Sequence, residues 1–403
     1  MTRTQTIDRP VLAHVEAATL LDERQTPGTL LPTRVESLFE TARSIHEKLD
    51  PIDVDRPLSQ GFFRYVDGRA AFAWRNVDGS FSNPENFTRR GLSQLGYRVL
   101  GGGGTKYMNA LADQGGHGTK LAEVNWNFSL LSQTSPALLR TIQLPGERYR
   151  TIRAALSGGG KGYSVIDNVD LLEMFIESPE LRELPIIESK ITEDSMRIRF
   201  LLDPADAALF DPTTGRVRNP SNSHFTTLNL PVPMGELYNG ETGNSSVRFN
   251  YGTYFIRCLN GLGGYGGDSS NWRWNHTGGE DRAEKIKSGL GDAIKSARVM
   301  ASGQIEDYKA SIGVAIDDAF ALLDAWGGEL TETQRNRAKD ATRDESSIPG
   351  GKLASLVDGI TLAAQSESDV VKQRDLEAFA ARLLKRGLDA ARKNDGRIVV
   401  AAA

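Results

Sequence analysis

The stretch SVRFNYGTYFIRCLNGLGG, residues 246–264, decides the fold class. Ser246 to Asn250 and Tyr254 to Leu259 are short, rich in aromatic and β-branched side chains, and followed by the glycines of Gly261 to Gly267, the punctuation of strands and turns. The same texture runs back to about residue 61. Phe62 to Trp74, with Asp67-Gly68 as a hairpin turn, Ala122 to Leu130 and Ile198 to Leu202 read as further strands. Two segments between them are helical in character, the short Ala137 to Ile142 and the longer Asn168 to Ile176. On both sides of this region the pattern is helical. Leu38, Phe39, Ala42, Ile45 and Leu49 recur at the spacings of one helix face, and Asp50-Pro51 ends that run. After Gly279 the composition turns to Ala, Lys, Glu, Asp and Leu, with helical periodicity in Ala283 to Ala325 and Asp369 to Lys393. Gly327-Gly328 and Ser346 to Gly351 interrupt it, which predicts at least three helices. The expected fold is α+β: a central mixed, mostly antiparallel sheet domain over 61–279, an N-terminal helical segment over 1–60 and a C-terminal helical region over 280–403.

Composition bounds the function. The 403 residues are 39% hydrophobic and 25% charged, enough to bury a core in two or three domains. A formal net charge of -4 is too near balance for a protein that coats a polyanion with its whole surface, so any such binding is local. The single Cys258 excludes an internal disulfide framework and a cysteine-cluster zinc module, and suits a reducing compartment. No apolar run approaches the roughly 20 residues of a membrane helix, and the start MTRTQTIDRP lacks the apolar segment of a secretion signal. The expectation is a cytoplasmic protein of a bacterial host with no membrane partner.

Glycine clusters at Gly101 to Gly104, Gly115 to Gly118, Gly158 to Gly162 and Gly261 to Gly267 read as loops. Backbone N–H groups in such loops can converge on phosphate, but a nucleotide loop needs its spacing. At Gly160-Lys161 the first glycine of a Walker loop is replaced by Ala155, and the hydroxyl residue by Gly162. Gly261, Gly263 and Gly266 meet the dinucleotide spacing, yet Asp268 to Asn275 does not open an amphipathic helix. No cofactor is expected. The histidines at 14, 46, 117, 224 and 276 show no zinc spacing, and neither Ser157 nor Cys258 stands in a nucleophile motif. Asp167 and Asp170 ahead of Glu188-Ser189-Lys190 follow the acid, acid, lysine order of Mg²⁺-dependent nucleases. However, Val169 to Leu184 between them reads as a helix plus a turn, where those enzymes use neighbouring strands, and Asp167 suits a helix cap.

Charge counted by region is more informative. Asn86 to Tyr163 holds ten basic and three acidic residues, a local charge of +7. Within it Arg148, Arg150 and Lys161 lie beside Tyr149 and Tyr163, equipment for holding a phosphate while stacking a base; the alternative is the solvated face of ordinary strands. A second cluster, Tyr265, Trp272, Arg273, Trp274 and His276, sits on a glycine-rich loop, where the tryptophans either meet a ligand or plug the sheet.

Several of these residues also carry a family resemblance. The run from Arg140-Thr141 through Arg153, Ala154-Ala155-Leu156-Ser157, Tyr163-Ser164-Val165-Ile166-Asp167-Asn168, Glu241-Thr242-Gly243-Asn244-Ser245-Ser246-Val247-Arg248, and Arg257-Cys258-Leu259-Asn260-Gly261 with His276 downstream resembles the phage- and plasmid-borne domain-of-unknown-function family 932 over about residues 90–280. Here Gly-Glu-Thr-Gly stands where Ser-Glu-x-Gly is usual. The resemblance implies a mobile-element protein and suggests kinship with phage single-strand annealing proteins. The combined expectation is a non-enzymatic homo-oligomer that binds single-stranded DNA, or RNA by the same chemistry, and assists strand pairing in recombination or replication. Its contacts would come from Arg140, Arg148, Tyr149, Arg150, Arg153, Lys161, Tyr163, Arg257, Trp272, Arg273 and His276. Two other readings compete: a self-assembling structural protein of a mobile element, with Ala283 to Ala325 as the association surface, and a Mg²⁺-dependent nuclease using Asp167, Glu188 and Lys190.

Overall fold

A computed structural model of the chain describes residues 11–12, 14–15, 19–24, 33–66, 69–114, 118–131, 136–158, 163–192, 194–209, 231–243, 245–255, 260–264, 272–277, 282–344, 351–367 and 370–399. Three short strands, β1 (Val11–Leu12), β2 (His14–Val15) and β3 (Thr19–Arg24), precede helix α1 (Val35–Leu49). Val35, Leu38, Phe39, Ala42 and Leu49 are buried on one face of α1, and Asp50 ends it in the left-handed region at φ 44° ahead of Pro51.

Next come β4 (Ile52–Pro57), the hairpin of β5 (Gly61–Val66) and β6 (Arg69–Trp74), β7 (Asn86–Thr88), α2 (Arg89–Leu100), α3 (Gly104–Gln114), α4 (Gly118–Leu130), β8 (Pro136–Ile142) and β9 (Thr151–Ser157). The hairpin agrees with the reading of Phe62 to Trp74. Two expectations are corrected. Ala122 to Leu130 is not a strand but the second half of α4: Val124 and Phe128, four apart, are buried while Trp126 and Leu130 are exposed, a helical period. Ala137 to Ile142 is not a helix but β8, antiparallel to both β4 and β9. Six residues, ALLRTI, are too few to show a period.

The Gly101 to Gly104 cluster is likewise no loop. It forms a 3₁₀ turn over Gly101–Gly103 and the start of α3. A Cβ on Gly104 would stand 1.9 Å from the Gly96 carbonyl oxygen, so α2 and α3 cross backbone to backbone. Gly104→Ala is expected to cost about 1–3 kcal/mol, the range for overpacking. The measurement is the urea midpoint at constant slope, and an unchanged midpoint would show that the crossing yields freely.

The chain continues through α5 (Asn168–Glu177), α6 (Pro179–Arg182), β10 (Ile186–Thr192), β11 (Met196–Leu201), β12 (Pro231–Asn239), β13 (Val247–Phe255), β14 (Asn260–Gly263) and β15 (Arg273–Trp274). Asp167 caps α5 in a capping box, and the Asp167 backbone N–H donates to Asp170 Oδ2 at 3.1 Å. The two strands expected at Ser246 to Asn250 and Tyr254 to Leu259 are one, since β13 runs unbroken through Tyr251-Gly252-Thr253; residues 256–259 lie outside the described residues. Gly252 marks close approach instead of a break: a Cβ there would sit 2.3 Å from the Leu262 carbonyl oxygen on β14.

The large sheet has the order β14-β13-β12-β11-β10-β3, with β15 on the outer edge of β13. Its pairings are antiparallel, whereas β2-β7-β9-β8-β4 and β1-β6-β5 mix both directions. The fold is α+β, with helices at both ends of the sheet region. Beyond it lie α7 (Arg282–Ser311), β16 (Ala315–Ile316), α8 (Ala319–Trp326), α9 (Glu332–Asp344), α10 (Leu353–Gln365), α11 (Val370–Lys393) and β17 (Arg397–Ile398). The apolar face of α7, with Ile286, Leu290, Ala293, Ile294 and Ala297, packs with Ile198, Phe200 and Phe249 of the large sheet in one core. That face, expected as a surface for self-association, is thus covered within the chain. Helices α8, α10 and α11 build a second core, and α2 to α4 a third with the smaller sheets. No described helix is long and apolar enough to cross a membrane.

Strand β11 shows what the large sheet does with its two faces. Met196, Ile198 and Phe200 alternate with Arg197 and Arg199, and all are buried. One face is apolar and meets α1, α5 and α7; the other is ionic and lies beneath α11.

Candidate functional site

The basic stretch does not form an open cationic surface, because acids from outside it close on its arginines. Arg140 is fully buried. Its Nε lies 3.0 Å from Asp53 Oδ1, its Nη1 donates to the Glu241 carbonyl at 2.8 Å, and its Nη2 pairs with Asp167. Arg153 pairs with the Glu241 carboxylate. Arg150 Nη1 is 2.7 Å from Asp50 Oδ2, and its Nε donates to Thr141 Oγ1 at 3.2 Å. Burial alone would raise the Asp167 carboxyl, but the Arg140 guanidinium beside it holds it below its ordinary range. Arg140 and Arg153 therefore do not present donors to a phosphate, which corrects the expectation for both, while Arg150 is half-buried and held by the mostly exposed Asp50.

The rings are committed in the same way. Tyr163 donates its hydroxyl to the Gly240 and Glu241 carbonyls, each at 3.1 Å, and stacks on His276 with centroids 4.7 Å apart and planes 11° apart. Burial pushes the His276 imidazole down to about 4, so it is neutral, with Nδ1 3.2 Å from the Ser164 carbonyl. Trp272 is half-buried against Phe249 and Tyr251, with centroids at 5.5 and 6.1 Å, and plugs the sheet. Tyr163, His276 and Trp272 are thus not stacking platforms. Arg148 is exposed with its guanidinium 5.1 Å from the centre of the Tyr149 ring, while Lys161 and Arg257 lie outside the described residues.

These residues build a junction. Asn168 donates its backbone N–H to Glu241 Oε1 at 2.5 Å, and Asn239 Nδ2 donates to the Ile166 carbonyl at 2.9 Å and to Asn168 Oδ1 at 3.0 Å. Segments near residues 140, 153, 163–168, 239–243 and 276 meet there and bind the five-stranded sheet to the large one. The nuclease reading loses its carboxylates: Asp167 belongs to this junction, while Glu188 is held by Arg197 at 2.8 Å and Arg199 at 3.2 Å in another network. Among the described residues no three His, Cys, Asp or Glu side chains gather as a metal site.

The ionic face of the large sheet leads to a different site. Opposing Arg199 are Glu188 on β10 and Glu236 on β12, and Arg197 opposes Tyr238. Tyr238 in turn opposes Arg248 on β13, and Arg248 opposes Arg273 on β15. The pleat thus lines charged groups across one face. Over β11 they are compensated: Arg197 and Arg199 meet Glu188, Glu236 and, from α11, Glu377. Over β13 compensation is weaker and comes from farther away, Asp375 acting on Arg248 and Glu236 on Arg374. Arg248 and Arg273 both donate from Nε to the buried Ser246 hydroxyl, at 3.1 and 2.8 Å, and Arg374 of α11 places its guanidinium 5.8 Å from the centre of the Tyr238 ring. Among the described residues no carboxylate lies within ion-pair distance of these three arginines. Burial, then the like charges of Arg374 and Arg273, push the Arg248 guanidinium down from its ordinary value. Three crowded cations whose Nη groups make no hydrogen bond among the described residues suit an anion, since a bound phosphate would relieve their mutual repulsion. A groove of about 180 Å³ adjoins them; its walls carry Arg248, Arg374 and Arg382 and also Glu236 and Glu377, both of which are paired with Arg199.

Of the residues expected from sequence to make contacts, only Arg273 belongs to this site. Arg248, Arg374, Tyr238 and Ser246 were not assigned a role. The available signal was the alternation Arg248-Phe249-Asn250-Tyr251, repeated in Arg197-Ile198-Arg199-Phe200, which marks strands with one polar face buried beneath another element. Comparison with known proteins adds no relative: no family model, no curated protein and no solved structure matches this chain.

Proposed function

We propose that the protein binds single-stranded nucleic acid without chemistry on it, gripping the backbone with Arg248, Arg273 and Arg374. The supporting observation is the convergence of three guanidinium groups, from β13, β15 and α11, with no described carboxylate to pair them. Arg248 and Arg374 are half-buried between sheet and helix. A flexible strand can bend its phosphates into that recess, whereas a stiff duplex presents a broad convex backbone to it. The near-neutral whole fits a local grip on one strand better than unspecific coating.

Polarisation titrations with a labelled oligothymidylate over a range of salt concentrations test this. Each phosphate neutralised on a single strand contributes a slope of about -0.7 in log K against log salt, so three contacts predict about -2. Arg248→Ala is expected to make the slope shallower by about 0.7 and to weaken binding about fivefold at 0.1 M salt. Absence of binding, or binding indifferent to salt, overturns the proposal.

A further inference from the structure

We propose that a strand held at the Arg248 cluster runs on along the outer face of α11 and ends against Trp326, an inference that rests on the function proposed above. Arg374, Ala378, Arg382, Lys385, Arg386, Asp389 and Lys393 recur at steps of three and four, which places them on one side of a helix. All are half-buried or exposed, in contrast to Gln373, Glu377, Leu384 and Leu388 on the side that faces the protein. The stripe carries five cations and one acid.

Two grooves meet along it. The groove beside the Arg248 cluster ends at Arg382, and from Arg382 a second groove of about 480 Å³ continues past Arg386 and Lys393 to Trp326. The Arg386 guanidinium lies 4.0 Å from the centre of the Trp326 ring. Trp326 is half-buried against the C-terminal core, and the part of its indole left open beside the Arg386 guanidinium would give a terminal base a stacking edge and the following phosphate a donor fork. The acids nearby oppose this weakly. Arg382 pairs with Glu329 at 2.8 Å, but both side chains are about half exposed, and such a pair yields readily to a phosphate. Asp389 pairs with Arg392 at 3.1 Å, which blunts its repulsion.

Length sets the expectation. From Arg374 to Lys393 the helix advances about 28 Å at 1.5 Å per residue, and at 3.4 Å per nucleotide of a stacked strand the track takes about eight nucleotides. Full-length protein is titrated with oligothymidylates of four, eight and twelve nucleotides. Affinity should climb from four to eight and then level. Arg386→Glu with Lys393→Glu should weaken the twelve-nucleotide complex by about 25-fold or more at 0.1 M salt, two phosphate contacts at the single-strand slope, and leave the four-nucleotide complex unchanged. Arg386→Lys with Lys393→Arg retains most of the affinity for the long strand, and an unchanged melting temperature in both variants shows that the fold is intact. Tryptophan emission should be quenched more by the twelve-nucleotide strand than by the four-nucleotide strand, and Trp326→Phe should abolish that difference while leaving the quenching from Trp272 and Trp274 beside Arg273. Equal affinity for all three lengths, with the double charge reversal silent, overturns the track and leaves the proposed function standing; no binding at any length overturns both.

Discussion

Replacing Arg199 by methionine is expected to destabilise the folded chain by roughly 3–5 kcal/mol, the cost of breaking a buried ion network by removing one partner. Arg199 is fully buried and touches three carboxylates: Glu236 at 3.0 Å, Glu188 at 3.2 Å, and Glu377 of α11. Without it, Arg197 is left to pair with Glu188 and Glu236, with Arg374 acting on Glu236 from farther away. Burial raises the Glu377 carboxyl even in the intact network, and Arg199 is the strongest influence holding it down. Once Arg199 is gone the orphaned acids take up protons more readily, so the loss should be greater at pH 8 than at pH 5. Glu377→Gln in the same background removes one stranded charge and recovers part of the stability, a coupling that urea unfolding of the four species resolves as a double-mutant cycle. If Arg199→Met unfolds at the parent's midpoint, the network does not hold α11 to the sheet.

Asp358→Asn is expected to act in the opposite direction. Asp358 sits on α10 inside the C-terminal core, accepting one hydrogen bond from the Tyr308 hydroxyl at 2.8 Å, and burial pushes its carboxyl up to about 7. In the unfolded chain the group loses its proton near 3.8, in the folded chain near 7. Between these values unfolding releases a proton, so its contribution is most favourable below pH 3.8, falls as pH rises through the interval, and stays low above 7. At 1.36 kcal/mol per unit, three units amount to about 4 kcal/mol. Asparagine keeps an acceptor for Tyr308 and cannot ionise. The variant should therefore exceed the parent in stability at pH 8 by up to about 4 kcal/mol, with the difference closing toward pH 4. Urea midpoints across that range decide, and parallel curves for the two proteins would refute the assignment.

Elements long enough to show a period were readable from the sequence: α1 from Leu38, Phe39, Ala42 and Leu49, α5 from Asn168 to Ile176, α11 from Asp369 to Lys393. Ala137 to Ile142 and Ala122 to Leu130 exchanged identities because six residues are too few to show a period and because the alternation Ala122, Val124, Trp126, Phe128, Leu130 with polar residues between imitates a strand, so that only the partner decides. The charge count failed for a related reason. The +7 of residues 86–163 is real, yet Asp50 and Asp53 lie before that window and Asp167 and Glu241 after it, and folding brings all four onto its arginines. Conversely Arg248 stands out only once β13 is paired with β15 and covered by α11, residues 25 and 126 positions away. Local charge along a chain predicts local charge in space only where no long-range partner intervenes.

Helix α11 is fastened on its inner side and exposed on its outer side. Gln373 and Glu377 tie it to Arg197 and Arg199, while Arg374, one step round the helix, completes the recess over Tyr238. Peeling the helix away would therefore dismantle the recess as a unit. A polyanion lying across that seam works as a suture, and its grip must appear as a melting temperature that climbs with ligand concentration.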